Sequence, residues 1–232
     1  MRYCADPHGN MNLVKRFIEK SECKGEEYLA ILGDSGINYY DDNRDQKLKI
    51  ELQSLIDKIH KDIFLLFIRG NHEIRPEDLS KYEENDMFGG KVYIEKEFPN
   101  LIFLKDGEIY TIEGKKYLVL GGGYSRDCFS RILNDIGYWC NEELSLEEMY
   151  SIVEILNKRI KDDVIVLSHM LPESVSPLSG REGGNTQIFL QKILDNYKKN
   201  IVAWHAGHYH KDIAWKQDGV SFYIHNKISK EM

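Results

Sequence analysis

Five hydrophobic runs in this chain end in side chains able to ligate a metal, and no other feature limits its fold as tightly. The run "IFLLFI" (63–68) passes through Arg69 and Gly70 and delivers Asn71, His72 and Glu73 in succession. Residues 2–6 lead into "ADPHG", which holds Asp6 and His8, and 27–33 lead into "LGDSG", which holds Asp34. The run 163–168 ends in "SHM" with His169, and 201–206 runs into "AGHYH" with His208 and His210. Ligands of open α/β sheets collect beyond the carboxyl ends of strands, so the positions carry as much information as the residue types. Singly, an Asp or His after a strand caps a turn or bonds a loop backbone. Jointly, five of the eight histidines, two aspartates and an asparagine share this placement, which independent accidents do not produce.

The rest of the first half alternates short apolar runs with amphipathic stretches, the pattern of strand and crossover-helix units. Asn10 to Lys20 reads as a helix, and Lys47 to His60 places Leu48, Leu52, Leu55, Ile56 and Ile59 at helical spacing. From Lys91 to Tyr124 four short β runs, separated by Pro-Asn, Asp-Gly and Glu-Gly turn signals, read as a meander. A helix over 145–161 opens with Ser145 and a glutamate three residues on, the capping-box pattern. Another helix spans 186–197, and strands are expected at 212–217 and 220–225. Two sheets joined through one core, with helices outside, accommodate such a succession. The loop "SGINYYDDNRD" (35–45) is expected to lie over whatever the neighbouring strand tips build.

At 232 residues and 42% hydrophobic, the chain is read as one domain over 1–232. A formal net charge of -7 offers no basic field for a polyanion and argues against a long nucleic-acid partner. Cys4, Cys23, Cys128 and Cys140 form no C-x-x-C pair, which fits a reducing compartment. With no signal-peptide pattern and no apolar run of the ~20 residues a membrane span needs, a cytoplasmic protein without membrane attachment is expected. Oxygen and imidazole donors without thiolate suit borderline or hard divalent metals such as Mn, Fe or Zn. With His72 set aside, seven candidate ligands are too many for one ion; two ions sharing a carboxylate accommodate them.

The order D-x-H, G-D, G-N-H-E, a single His and G-H-x-H resembles the calcineurin-like metallophosphoesterase superfamily over Asp6 to His210. "GGKVY", "GGGYSRD" and "GYWCNEE" are similar to its bacterial and phage branch. The resemblance implies an α/β fold, a four-layer αββα sandwich of two mixed β-sheets flanked by helices, with the metal site at strand C-terminal ends. It also implies a cofactor of two divalent metal ions, manganese first, with iron, zinc or nickel as alternatives. By position, Asp6, His8 and His210 would hold one metal, Asn71, His169 and His208 the other, and Asp34 would bridge them. His72 would be the catalytic imidazole, assisting while a metal-bridging hydroxide attacks phosphorus in line. The substrate would be a phosphorylated small molecule or nucleotide, as monoester or diester. Two other readings stand beside this one: a nuclease on short single strands, and an inactive binding scaffold, against which the full set of eight side chains argues.

The protein-phosphatase branch follows its G-D with an Asp-Arg pair, whereas the residue three past Asp34 here is Ile37. Arg75, Arg126, Arg131 and Arg181 are the candidate phosphate contacts, Arg126 foremost because it follows a glycine-rich strand end and Arg75 next in line. Tyr39, Tyr40 and Tyr124 either stack on a base or aryl group or pack their loops. His60, His205 and His225 read as structural.

Overall fold

The computed structural model describes residues 1–22, 24–134, 137–178 and 183–226; Cys23 and Arg181 lie outside them. A first six-stranded sheet holds β1 (Arg2–Cys4), β2 (Glu27–Leu32), β3 (Ile63–Ile68), β4 (Glu83–Met87), β5 (Gly90–Ile94) and β6 (Leu101–Leu104), in the order β1-β2-β3-β6-β5-β4. The first four in that order run parallel, and β5 and β4 close the edge antiparallel. A second sheet takes β7 (Ile109–Ile112), β8 (Lys115–Leu120), β9 (Val164–Ser168), β10 (Ile201–Ala206), β11 (Ile213–Gln217) and β12 (Val220–Ile224), in the order β11-β12-β10-β9-β8-β7. Here the four central strands are parallel and both edge strands antiparallel.

The strands' two-residue period sorts their side chains into layers. Leu29, Ile31, Leu65 and Phe67 face α1 (Asn12–Glu19) and α2 (Asn43–Ile59), meeting Val14, Phe17, Leu52 and Ile56. The alternate residues Ala30, Leu32, Leu66 and Ile68 point the other way, onto Tyr117, Val119 and Leu167 of the second sheet. That sheet's far face, through Leu118, Val166 and Trp204, buries Ile152 and Leu156 of α4 (Leu146–Arg159) and Leu190 and Ile193 of α5 (Asn185–Tyr197). The result is a four-layer αββα sandwich. Strands buried on both faces need no polar alternation, which is why β2 and β3 read as continuous hydrophobic runs.

Four points differ from expectation. The 91–124 segment is no meander: β5 and β6 join the first sheet, while β7 and β8 join the second. Turn signals mark where a strand ends but not which strand it pairs with, and β6 pairs parallel with β3. The edge strand β4, "EENDM", escaped because it is exposed and charged, as edge strands tend to be. Helix α3 (Cys128–Asn134) was not expected, and α2 starts at Asn43, four residues early, with Asp42 accepting from the Arg44 N–H at 2.7 Å. The capping box at Ser145 and Glu148 is formed as read.

Candidate active site

Every hydrophobic run singled out in the sequence ends on the same edge of the sandwich. The tips are stitched by backbone bonds: Asp6 N–H to Gly33 O at 3.2 Å, His8 N–H to Asp34 O at 2.9 Å, and Gly207 N–H to His169 O at 3.0 Å. Glycines let the two sheets approach: a Cβ on Gly207 would sit 2.6 Å from the Ala5 Cβ, and one on Gly33 would sit 2.6 Å from His169 Cγ. Asp6, His8, Asp34, His208 and His210 all have positive φ, between 44° and 69°. L-residues avoid this conformation, and a cluster of such residues marks a site whose geometry the surrounding fold imposes.

The side chains converge accordingly. Asp6, His8 and His210 form one set whose ligand atoms lie within 4.8 Å of one another, and Asp6, Asp34 and His169 form a second. His169 Nε2 lies 2.9 Å from Asn71 Oδ1 and 3.2 Å from His208 Nδ1. Asp34 Oδ2 lies in the middle, 3.5 Å from His169 Nε2, 3.9 Å from His8 Nε2 and 3.7 Å from His72 Nε2. His72 is thus beside both sets. Its backbone N–H donates to Asp34 Oδ1 at 3.1 Å, which fixes the carboxylate from the other side.

The electrostatics are those of a site built for cations. Both carboxylate oxygens of Asp6 are buried without a hydrogen-bond partner, a costly arrangement unless a positive charge occupies the space. Burial, with the Asp34 charge adding to it, pushes the Asp6 carboxyl up to about 7. Asp34 is held well below the usual carboxylate range: burial opposes this, but the neighbouring His169, His72 and His8 outweigh it. His169, against the pull of burial, is raised to about 9 by Asp34 and Asp6. His72 is lowered to about 4, first by burial, so its ring is neutral near pH 7. An oxygen and imidazole donor set with two unpartnered carboxylate oxygens fits divalent metals of the Mn, Fe or Zn kind.

Supporting residues lock the loops. The Glu73 carboxylate accepts from Gly70 N–H at 2.8 Å, from Ser35 N–H at 2.6 Å and from the Ser35 hydroxyl, clamping the β2 and β3 tips together. Asn71 Nδ2 donates to Ser125 Oγ at 2.8 Å, leaving its Oδ1 toward His169. The buried Lys49 ammonium bonds Asn38 Oδ1 and the Tyr82 hydroxyl, each at 2.9 Å, and pairs with Glu95, so the 35–42 loop is held over the site.

The arginines fall differently from expectation. Arg75 is a correction: it is buried, with Nε on Asn141 O at 2.9 Å, one terminal nitrogen on Glu143 O at 2.7 Å and a pairing to Glu148, so its guanidinium is used in anchoring the 141–148 segment. Arg126, the favoured candidate, is exposed just ahead of α3 and is not among the residues lining the cleft at His72. Arg131, on α3, is the arginine that reaches His72, its Nη2 3.3 Å from the ring Nε2. It could not be singled out in advance because its helix has no clear apolar period and the approach depends on where α3 lands. Tyr39 and Tyr40 line the cleft, whereas Tyr124 contacts Cys128. His60 ends α2, and His205 and His225 pack against each other and Tyr3, ring nitrogens 2.9 Å apart.

A family model for calcineurin-like phosphoesterases matches residues 3–212. The chain belongs to the calcineurin-like phosphoesterase family. Solved structures with the same fold include the phosphopantetheinyl hydrolase of Mycobacterium tuberculosis, 13% identical with a TM-score of 0.52 over 97% of this chain and 89% of that one. The protein TT1561 of Thermus thermophilus is 12% identical, with a TM-score of 0.56 over 97% and 88%. A dimetal phosphatase from Danio rerio is 12% identical, with a TM-score of 0.53 over 97% and 86%. A sequence search of curated proteins finds no match. The protein is a metallophosphoesterase, and the described residues include two sets able to hold an ion. Among the described residues no helix is long and apolar enough to cross a membrane.

Proposed function

We propose that this phosphoesterase hydrolyses a phosphorylated small molecule or nucleotide at a centre of two divalent cations, manganese foremost. Asp6, His8 and His210 would hold one cation, Asn71, His169 and His208 the other, and Asp34 would be shared. The observation that carries the assignment is the pair of buried, unpartnered Asp6 oxygens in a cluster of converging imidazoles. When bound, the cations supply charge neutralisation for the phosphoryl oxygens and acidify water near neutral pH.

The chain's own residues supply the rest. Asp34, kept ionised, balances the cationic charge and orients the His72 backbone. His72 is neutral in the free site, because burial disfavours its charged form. A phosphate dianion arriving within reach favours the imidazolium, which then donates its proton to the leaving oxygen. The Glu73 clamp and the Lys49 network keep these groups fixed while charge builds on the equatorial oxygens. The unit is residues 1–232 as a whole, working in the cytoplasm; the acidic surface favours small ligands over long nucleic acid.

The test is a substrate panel on chelated enzyme with manganese restored, a chromogenic phosphomonoester beside a phosphodiester and a set of nucleotides. Metal-dependent turnover of at least one is expected. No turnover under any metal, with the fold intact, would refute the reading.

A further inference from the structure

Beside the cluster lies a cleft of about 360 Å³ whose two ends differ in chemistry. Its floor is Asp34 and His72, and among the described residues Arg131 is the one cationic side chain other than histidine lining it; its outer wall is Tyr39, Tyr40 and Leu48. The volume is at the small end of the ~300–1,000 Å³ typical of ligand sites, and an apolar, aromatic wall opposite a few convergent polar groups is the usual makeup of such sites.

Arg131 is held for a purpose beyond packing. Its Nε donates to Asp127 Oδ2 at 2.8 Å and its Nη1 to Gly137 O at 2.9 Å, with the Tyr39 hydroxyl at 3.5 Å. These contacts fix the guanidinium plane and leave Nη2 aimed at His72 Nε2, 3.3 Å away. A single imidazole nitrogen is a poor partner for a guanidinium compared with a phosphate group, whose oxygens offer full charge and fork geometry. Tyr40 is 46% exposed although Arg44 lies 3.3 Å from its ring centroid, so an aromatic surface is kept available at the site entrance. The loop that presents both tyrosines is fixed at Gly36, where a Cβ would lie 2.7 Å from the Gly9 Cα.

Resting on the hydrolase reading above, we propose that this cleft is the substrate subsite: Arg131 takes a nonbridging phosphate oxygen beside His72, and the Tyr39–Tyr40–Leu48 wall takes a flat aromatic leaving group, a nucleoside or aryl moiety. The arginine on α3 thereby supplies, from a different part of the chain, the guanidinium that the residues immediately after Asp34 lack. Arg131, the one arginine among the described residues lining the cleft, suits one phosphate group rather than a polyphosphate.

The experiment uses the full, manganese-loaded chain and the variants Tyr40→Ala, Tyr40→Phe, Arg131→Ala and Arg131→Lys, each checked for an unchanged melting temperature. Substrates are 4-nitrophenyl phosphate, a nucleoside 5′-monophosphate and glycerol phosphate; inorganic phosphate is the probe of the anion position, by competition and by calorimetry. Tyr40→Ala is expected to lower kcat/KM for the aryl and nucleoside esters about tenfold more than for the alkyl ester, the size of one stacking contact, and Tyr40→Phe to restore the preference. Arg131→Ala is expected to raise the inhibition constant of inorganic phosphate at least tenfold, with partial recovery on adding guanidinium, and Arg131→Lys, which lacks the planar fork, to retain only part of the wild-type affinity. Equal losses on aryl and alkyl esters in Tyr40→Ala, or an unchanged phosphate constant in Arg131→Ala, would overturn the subsite. If the wild type turned over no ester, the hydrolase reading would fall; a nucleotide-over-alkyl binding preference, abolished by Tyr40→Ala, would still support the subsite.

Discussion

Replacing Gly33 with alanine drives a methyl group into the seam where the two sheets meet. The added Cβ would lie 2.6 Å from His169 Cγ and 2.8 Å from Gly70 Cα, at a φ of +86°. The left-handed conformation alone costs a non-glycine residue ~1–2 kcal/mol. Relief of the clash requires His169 to move, breaking the 2.8 Å contact of its Nδ1 with Leu32 O at a fully buried position, which adds ~1–3 kcal/mol. Together these give ~2–5 kcal/mol, a large share of the ~5–15 kcal/mol that stabilises a typical domain. With a urea m-value of ~2 kcal/mol/M, the unfolding midpoint falls by ~1–2.5 M. The control is Gly114→Ala, at φ +72° with no neighbouring atom within 4 Å, which carries the conformational cost alone. If Gly33→Ala unfolds no earlier than Gly114→Ala, the close approach of the sheets at His169 is wrong, and with it the explanation of how the tips converge.

Further predictions concern the His72 imidazole, a buried pair and the response to acid. His72→Ala should lower kcat by ~10²–10⁴, the range for loss of a positioned proton donor, while metal content measured by elemental analysis stays the same. Lys49→Ala leaves Glu95 buried and uncompensated and should cost ~3–5 kcal/mol in urea unfolding, whereas Lys49→Arg should cost less. His225 is lowered to about 4 by burial, and His205, beside it, is lowered too. A depressed base is neutral in the native state and takes up protons on unfolding, so stability is full above the unfolded value near 6.5 and is lost as pH falls from there toward 4. For His225 the loss is ~3 kcal/mol at about 1.36 kcal/mol per pH unit, read as a midpoint shift that His225→Gln should diminish.

The parts legible in the sequence are those where one residue's role follows from its neighbours. A side chain placed directly after a buried strand needs only that strand to be located, which is why the convergence of Asp6, Asp34, Asn71, His169 and His208 could be expected from hydrophobic runs. Ser145 and Glu148 announced their helix by a local pattern for the same reason. Strand pairing is a property of distant segments, and the Lys91 to Tyr124 region was misread as one meander because nothing in "LIFL" says that it will lie beside β3. Arginine roles are harder still. Arg75 and Arg131 differ in function because the carbonyls of Asn141 and Glu143 surround one guanidinium, while the other, fixed by Asp127 and Gly137, is left facing His72. The carbonyls around Arg75 lie 66 and 68 residues further along the chain, and although Asp127 is close to Arg131 in sequence, the His72 that Arg131 faces is 59 residues away.

The most direct measurement is the metal content of the chain after chelation, reloading with manganese and gel filtration, together with that of Asp34→Asn. Two ions per wild-type chain and loss of at least one in the variant are expected, with spin coupling between the manganese ions in the wild type only. A wild-type chain that takes up no metal, or a variant that keeps two coupled ions, would contradict the shared-carboxylate centre.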